Sequence, residues 1–86
     1  MVKMITERQL NDTVQILKKG KEKYKLQKEG GIIHLTIYKN QDNTINSLIL
    51  VEIIASLKGS FKLIPKRYGL TFMCELMKAR EVKIKQ

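Results

Sequence analysis

Apolar residues recur along this chain with two different periods, and each change of period marks the boundary of an element. Thr6-Glu7-Arg8-Gln9 fits a capping box, with Thr6 as N-cap and Gln9 reaching back. Leu10, Val14 and Leu17 follow at helical spacing, and Gly20 suits the position after a helix end. A first helix is therefore predicted over about Glu7 to Lys19, with Lys18 and Lys19 in the last turn, where cations suit the macrodipole. From Lys21 to Lys28 the period falls to two: Glu22, Tyr24, Leu26 and Lys28 take one face, and Lys21, Lys23, Lys25 and Gln27 the other. Glu29-Gly30-Gly31 is a hairpin signal, and a second strand follows with Ile33, Leu35 and Ile37 inward and His34, Thr36 and Tyr38 outward.

The polar run Lys39-Asn40-Gln41-Asp42-Asn43 closes that strand, and Asn43 or Thr44 can cap a second helix running to about Lys58. Its apolar residues, from Ile45 to Leu57, cover most of its circumference and leave only a narrow stripe at Glu52 and Ser56. A helix of that kind is expected to be buried on more than one side. Its β-branched content also admits a strand, but the length and the terminal Gly59 favour helix. Ser60 to Arg67 reads as a third strand, with Phe61 and Leu63 on one face and Lys62, Ile64 and Lys66 on the other, and Pro65 implies an edge position. After Tyr68-Gly69, Leu70, Phe72, Cys74 and Leu76 alternate against Thr71, Met73, Glu75 and Met77. A fourth strand fits this, and a helix competes because Met73 and Met77 are also spaced i, i+4. Lys78 to Gln86 reads as a short terminal helix or a last strand. The expected fold is α+β, an antiparallel four-stranded sheet with helices on one face, in the order α-β-β-α-β-β(-α).

Composition narrows the class. The 86 residues form one domain, 1–86, and the hydrophobic fraction of 43% is that of a globular chain. No apolar run is long enough to span a bilayer, and the N-terminus lacks the apolar stretch of a secretory signal. A single cysteine, Cys74, makes no internal disulfide, so an intracellular setting (cytoplasm or organelle matrix) is expected.

Charge changes the picture most. Seventeen Lys and Arg against eight Asp and Glu leave a net +9, which favours a polyanionic partner. The candidate nucleic-acid-binding residues lie on the outward strand face and beside it: Lys21, Lys23, Lys25, Gln27, His34, Thr36, Tyr38, Lys62, Lys66 and Arg67. The lysines would neutralise phosphates; Gln27, His34 and Thr36 could hydrogen-bond base edges; Tyr38, with Tyr68, could stack on a base. Against this stands the ordinary role of lysine on exposed strands, which is to block aggregation. An acidic protein surface would attract the same lysines, so a small protein-interaction module or a phage- or plasmid-type inhibitor is the alternative. Oligomeric state is open, and a homodimer is compatible with so small a core.

Catalysis and metal binding are not expected. His34 and Cys74 are alone of their kinds and fall on opposite predicted faces, so a Cys-His nucleophile has no basis. The acids are scattered, no glycine-rich phosphate loop opens a helix, and the chain lacks the Cys/His set of a structural zinc site.

The element order, with the stretches LTIYKNQDNT, INSLILVEIIASLKG and SFKLIPKRYG, resembles one half of a LAGLIDADG homing endonuclease. That resemblance implies a saddle-shaped sheet laid along a DNA major groove. Setting Gly20 on the final glycine of the family's signature helix places Asp12 to Gly20 over it, and the metal-binding acid then falls at Lys19. Lysine cannot ligate Mg²⁺, which needs oxygen donors, so the resemblance implies a DNA binder without cleavage. The expectation is thus a non-enzymatic nucleic-acid-binding protein with no cofactor, either such a DNA binder or a small ribonucleoprotein subunit.

Overall fold

The computed structural model describes residues 4–77. Its elements are β1 (Met4–Ile5), α1 (Glu7–Lys19), β2 (Tyr24–Glu29), β3 (Ile32–Tyr38), α2 (Ser47–Leu57), β4 (Lys62–Lys66) and β5 (Gly69–Leu76). The chain is α+β, but the sheet has five strands and is mixed, which corrects the expected four-stranded antiparallel sheet. The extra strand is β1, which pairs parallel with β5 through Met4↔Glu75 and Ile5↔Leu76. Two residues are too few to display a period, so nothing in the pattern announced it. Ile5 is fully buried, and its carbonyl accepts from the Met77 N–H at 2.7 Å. The expected terminal element at 78–86 lies outside the described residues.

The two hairpins join through their second strands. β2 pairs with β3, β3 with β5, and β5 with β4, all antiparallel. β4 and β1 share one edge of β5, β4 along its first residues and β1 at its end. The segment that could have been a helix, Gly69–Leu76, is therefore the central strand, paired along both edges. Pro65 sits in β4 on the outer edge, where its missing N–H costs no ladder bond. The turn at Gly30-Gly31 holds both residues left-handed, at φ 57° and 85°, as a two-residue hairpin loop requires.

Both helices pack on one face of the sheet. Leu10 and Leu17 of α1, with Ile49, Ile53 and Leu57 of α2, meet Ile33, Leu35, Ile37, Phe72 and Cys74. Phe61 stands edge-on to Phe72, centroids 5.0 Å apart. The α1 capping box is complete: Gln9 N–H donates to Thr6 Oγ1 at 3.1 Å and Thr6 N–H to Gln9 Oε1 at 2.9 Å. The helices touch through a polar seam, where Thr13 Oγ1 lies 2.9 Å from Ser56 Oγ and Gln9 Nε2 donates to the Ser56 carbonyl.

Gly20 follows the last turn of α1 as expected, as its C-cap in a right-handed conformation, and it is Lys21, expected in the next strand, that takes the left-handed turn at φ 54°. Two further local expectations change. Helix α2 is capped by Asn46, not by Asn43 or Thr44. The earlier polar residues are used in a loop of their own, with Asp42 Oδ1 accepting from both the N–H and the hydroxyl of Thr44. Finally, α2 buries one stripe only and leaves Leu48, Val51 and Ile54 exposed.

Candidate nucleic-acid interface

The sheet face away from the helices is organised by register. Cross-strand pairing sets Lys25, Thr36, Thr71 and Ile64 in one row across β2, β3, β5 and β4. The next row is Gln27, His34, Met73 and Lys62. On the other side Tyr38, Gly69 and Lys66 align, and Lys23 extends that row, its carbonyl accepting from Tyr38 N–H at 3.0 Å. The last row, beside β1, holds Glu29, Ile32 and Glu75.

This order places the lysines on the two outer strands and neutral polar groups between them. Lys25 and the β4 lysines, Lys62 and Lys66, are three strand spacings apart, roughly 14 Å at the backbone. That separation is close to the ~12 Å width of a duplex major groove, so lysines on opposite edges can reach opposite phosphate strands. The acids Glu29 and Glu75 are confined to one end, so the basic area stops there and a polyanion would be turned away from that end.

Of the sequence-derived candidates, Lys25, Gln27, His34, Thr36, Tyr38, Lys62 and Lys66 share this face. Lys21 does not belong to β2; it is exposed in the turn after α1. Arg67 is exposed in the tight turn between β4 and β5, at the rim of the face. Thr71, Ile64 and Met73 complete the centre and were absent from the candidate set. Alternation already sets Thr71 and Met73 opposite the apolar face of their strand and Ile64 beside Lys62 and Lys66; their place at the centre comes from the β3–β5 and β4–β5 register, which alternation does not contain.

At the centre lies a cavity of about 160 Å³ lined by Gln27, His34, Thr36, Ile64, Lys66, Tyr68 and Thr71. Its floor is the bond between Thr36 Oγ1 and Thr71 Oγ1, 2.8 Å long. Tyr68 forms part of the wall and leans on Tyr38, ring centroids 5.7 Å apart and planes tilted by 33°. The Tyr68 backbone is tied down as well, its carbonyl accepting from Lys39 N–H at 2.9 Å. A larger groove, about 580 Å³, separates α1 from α2 and is lined by Gln15, Ile16, Lys19, Gly20, Ile49 and Glu52. Lys19 and Glu52 carry opposite charges there, so this groove has no single-signed attraction for phosphate.

The sheet itself keeps His34 and Cys74 apart. His34 pairs with Met73 on the outer face, while Cys74 pairs with Ile33 on the core face. Burial pushes the Cys74 thiol up to about 11, so it stays protonated and unreactive near neutrality. Among the described residues no three His, Cys, Asp or Glu side chains gather in a set that could hold a metal ion. Among the same residues no helix is long and apolar enough to cross a membrane. Compared with known proteins, the chain matches no family model, no curated protein and no solved structure.

Proposed function

We propose that this is a non-enzymatic nucleic-acid-binding protein that lays the outer face of its sheet against the sugar-phosphate backbone. The observation that carries this reading is the register of the face: lysines on both outer strands, neutral hydrogen-bonding side chains between them, and acids held to one end. Lys25, Lys62 and Lys66 contact phosphates, with Lys23 and Arg67 at the rim. Gln27, His34 and Thr36 are placed to meet bases. Phosphate contacts supply most of the affinity and position the protein; they do not read sequence.

Two forms of this function fit. One is a DNA binder related to the LAGLIDADG half-domain, supported by the α-β-β-α-β-β order that follows β1. Lys19 stands where that family's metal-binding acid would be, which supports binding without cleavage. The other is a small ribonucleoprotein subunit, supported by the charge.

The test is fluorescence anisotropy against labelled duplex DNA and structured RNA over a salt series. Binding should weaken steeply with salt, and each of Lys25→Ala, Lys62→Ala and Lys66→Ala should lower the slope of log K against log salt by about 1. A flat salt dependence, or slopes unchanged by all three substitutions, would falsify the assignment of this face.

A second reading, a protein-interaction module acting on an acidic partner or on a second copy, is favoured by a different observation. Leu48, Val51 and Ile54 of α2 are 72%, 63% and 42% exposed, an apolar stripe that nothing in the described chain covers. This stripe lies on the helix layer, so a protein contact there would leave the sheet face free.

A further inference from the structure

The geometry points to the cavity at the centre of the sheet face, between Gln27, His34, Lys66 and Tyr68, as a receptor for one unpaired, single-ring nucleobase. This inference rests on the nucleic-acid reading and makes it more specific: the preferred ligand contains a base that is out of the stack.

Size comes first. The cavity of about 160 Å³ holds the volume of about five waters, at ~30 Å³ each in the liquid, which suits one planar six-membered ring with its substituents. Chemistry comes second. Ile64 and the Tyr68 ring give the cavity apolar walls, and its polar groups converge from four strands, β2 to β5. The amide of Gln27 offers a donor and an acceptor side by side, which matches the paired donor and acceptor on a base edge. In the Thr36–Thr71 bond one hydroxyl donates to the other, so the hydrogen of the accepting hydroxyl is left to donate elsewhere. Neither hydroxyl has another side-chain or backbone partner among the described residues. A buried floor with a spare donor suits a ring carbonyl oxygen. Lys66 at the rim is placed for the phosphate that joins the base to its strand.

Preorganisation comes third. Tyr68 is half exposed, yet it is braced by Tyr38 and its backbone is tied to Lys39, so the ring itself loses little freedom when a base stacks on it. A base inside a duplex has both faces covered by its neighbours and offers only its edges. An aromatic wall beside a closed floor calls for a base whose face is free, as in single strands, bulges and loops.

The test uses the full chain and fluorescein-labelled hairpins of one stem sequence, made as DNA and as RNA. The first hairpin is fully paired, the second carries one unpaired pyrimidine in the stem, and the third carries an abasic residue at that position. The bulged hairpin should bind roughly tenfold tighter than the paired one, the scale of one base–aromatic stack. That advantage should vanish with the abasic residue and in Tyr68→Ala, and should survive in Tyr68→Phe. Lys25→Ala should weaken all three hairpins by the same factor. The DNA and RNA sets tell which backbone carries the base. Equal binding of the three hairpins overturns the inference while leaving the phosphate reading intact, as does an equal loss on all three in a folded Tyr68→Ala protein. Absence of binding to any hairpin at low salt overturns both.

Discussion

The hydroxyl oxygens of Thr36 and Thr71 lie 2.8 Å apart across the two central strands, on the face of the sheet that no helix covers. Even so, the two residues are only 8% and 3% exposed. They lie at the bottom of the cavity whose sides are Gln27, His34, Ile64, Lys66 and Tyr68. The bond therefore sits in a partly dry site, where a polar group without a partner is costly.

From this follows a non-additive pair of substitutions. Thr71→Val keeps the shape and strands the Thr36 hydroxyl, and should cost about 1–2 kcal/mol. Thr36→Val combined with Thr71→Val removes both polar groups and should cost less than the sum of the two single changes. Urea unfolding of the wild type, both single variants and the double variant closes the cycle. A simple sum would mean that the hydroxyls do not depend on one another.

Gly69 tolerates no side chain. It lies in β5 opposite Tyr38, and a Cβ there would overlap the backbone carbonyl oxygen of Ile37. Since that atom belongs to the central ladder, it cannot yield without opening the β3–β5 pairing. Gly69→Ala should lower stability by about 3 kcal/mol or more, in the range reserved for severe packing faults. By contrast, Gly31→Ala meets open space and is penalised only by its φ of 85°, at about 1–2 kcal/mol. Urea midpoints should rank the two in that order.

The capping box makes a separate contribution at the start of α1. Thr6→Ala removes the acceptor for the Gln9 N–H and should cost about 1 kcal/mol. Gln9→Ala removes the reciprocal bond and also the bond to the Ser56 carbonyl that ties α1 to α2. Thermal unfolding should place Gln9→Ala at or below Thr6→Ala, and a milder effect of Gln9→Ala would show that the link to Ser56 contributes nothing.

Cys74 makes stability depend on alkaline pH. Its folded pKa is raised from 9.0 to about 11 because burial disfavours the thiolate. The unfolded chain therefore loses the proton first as pH rises, so the contribution is complete below pH 9.0 and drains away between 9.0 and about 11. The comparison that isolates it is the difference in unfolding free energy between the wild type and Cys74→Ala, measured at intervals from pH 8 upward. That difference should shift against the wild type through this window; a constant difference would remove the burial argument. At pH 8 the native thiol should also react with a disulfide reagent much more slowly than the unfolded one.

The exposed stripe of α2 gives a test of the second reading. Leu48→Gln with Val51→Gln should leave monomer stability within about 0.5 kcal/mol, because neither side chain is part of the core. If a second copy or another protein covers the stripe, the same change should abolish that association. Sedimentation velocity over a concentration series reads the self-association directly. Unchanged sedimentation would exclude a homodimer through this face.

Several elements were legible because their cause is local. Alternation placed Ile33, Leu35 and Ile37 inward with His34, Thr36 and Tyr38 outward, and the strand geometry does the same. The Thr6–Gln9 box forms between residues three apart, and the Gly30-Gly31 turn needs only its own two residues. Where the reading failed, a non-local or competing local effect took over. The Asp42–Thr44 loop used the residues that could have capped α2 and moved its start to Asn46. Lys21 took the left-handed turn after α1 and so left the strand it was expected to join.

By itself the sequence determined α1, the β2–β3 hairpin, the face that the longer strands present, and the excess of positive charge, because all of these depend on residue type and on spacings of two to four positions. Only the tertiary structure decided which strands are neighbours. The β3–β5 pairing joins segments on either side of α2, and the parallel β1 joins the two ends of the described chain. That pairing sets Thr36 against Thr71 and Lys25 across from Ile64 and the β4 lysines, and it carves the cavity between them. A period of two says which side of a strand a residue is on. Who stands beside it is settled by register between distant segments, which is a property of the packed chain as a whole.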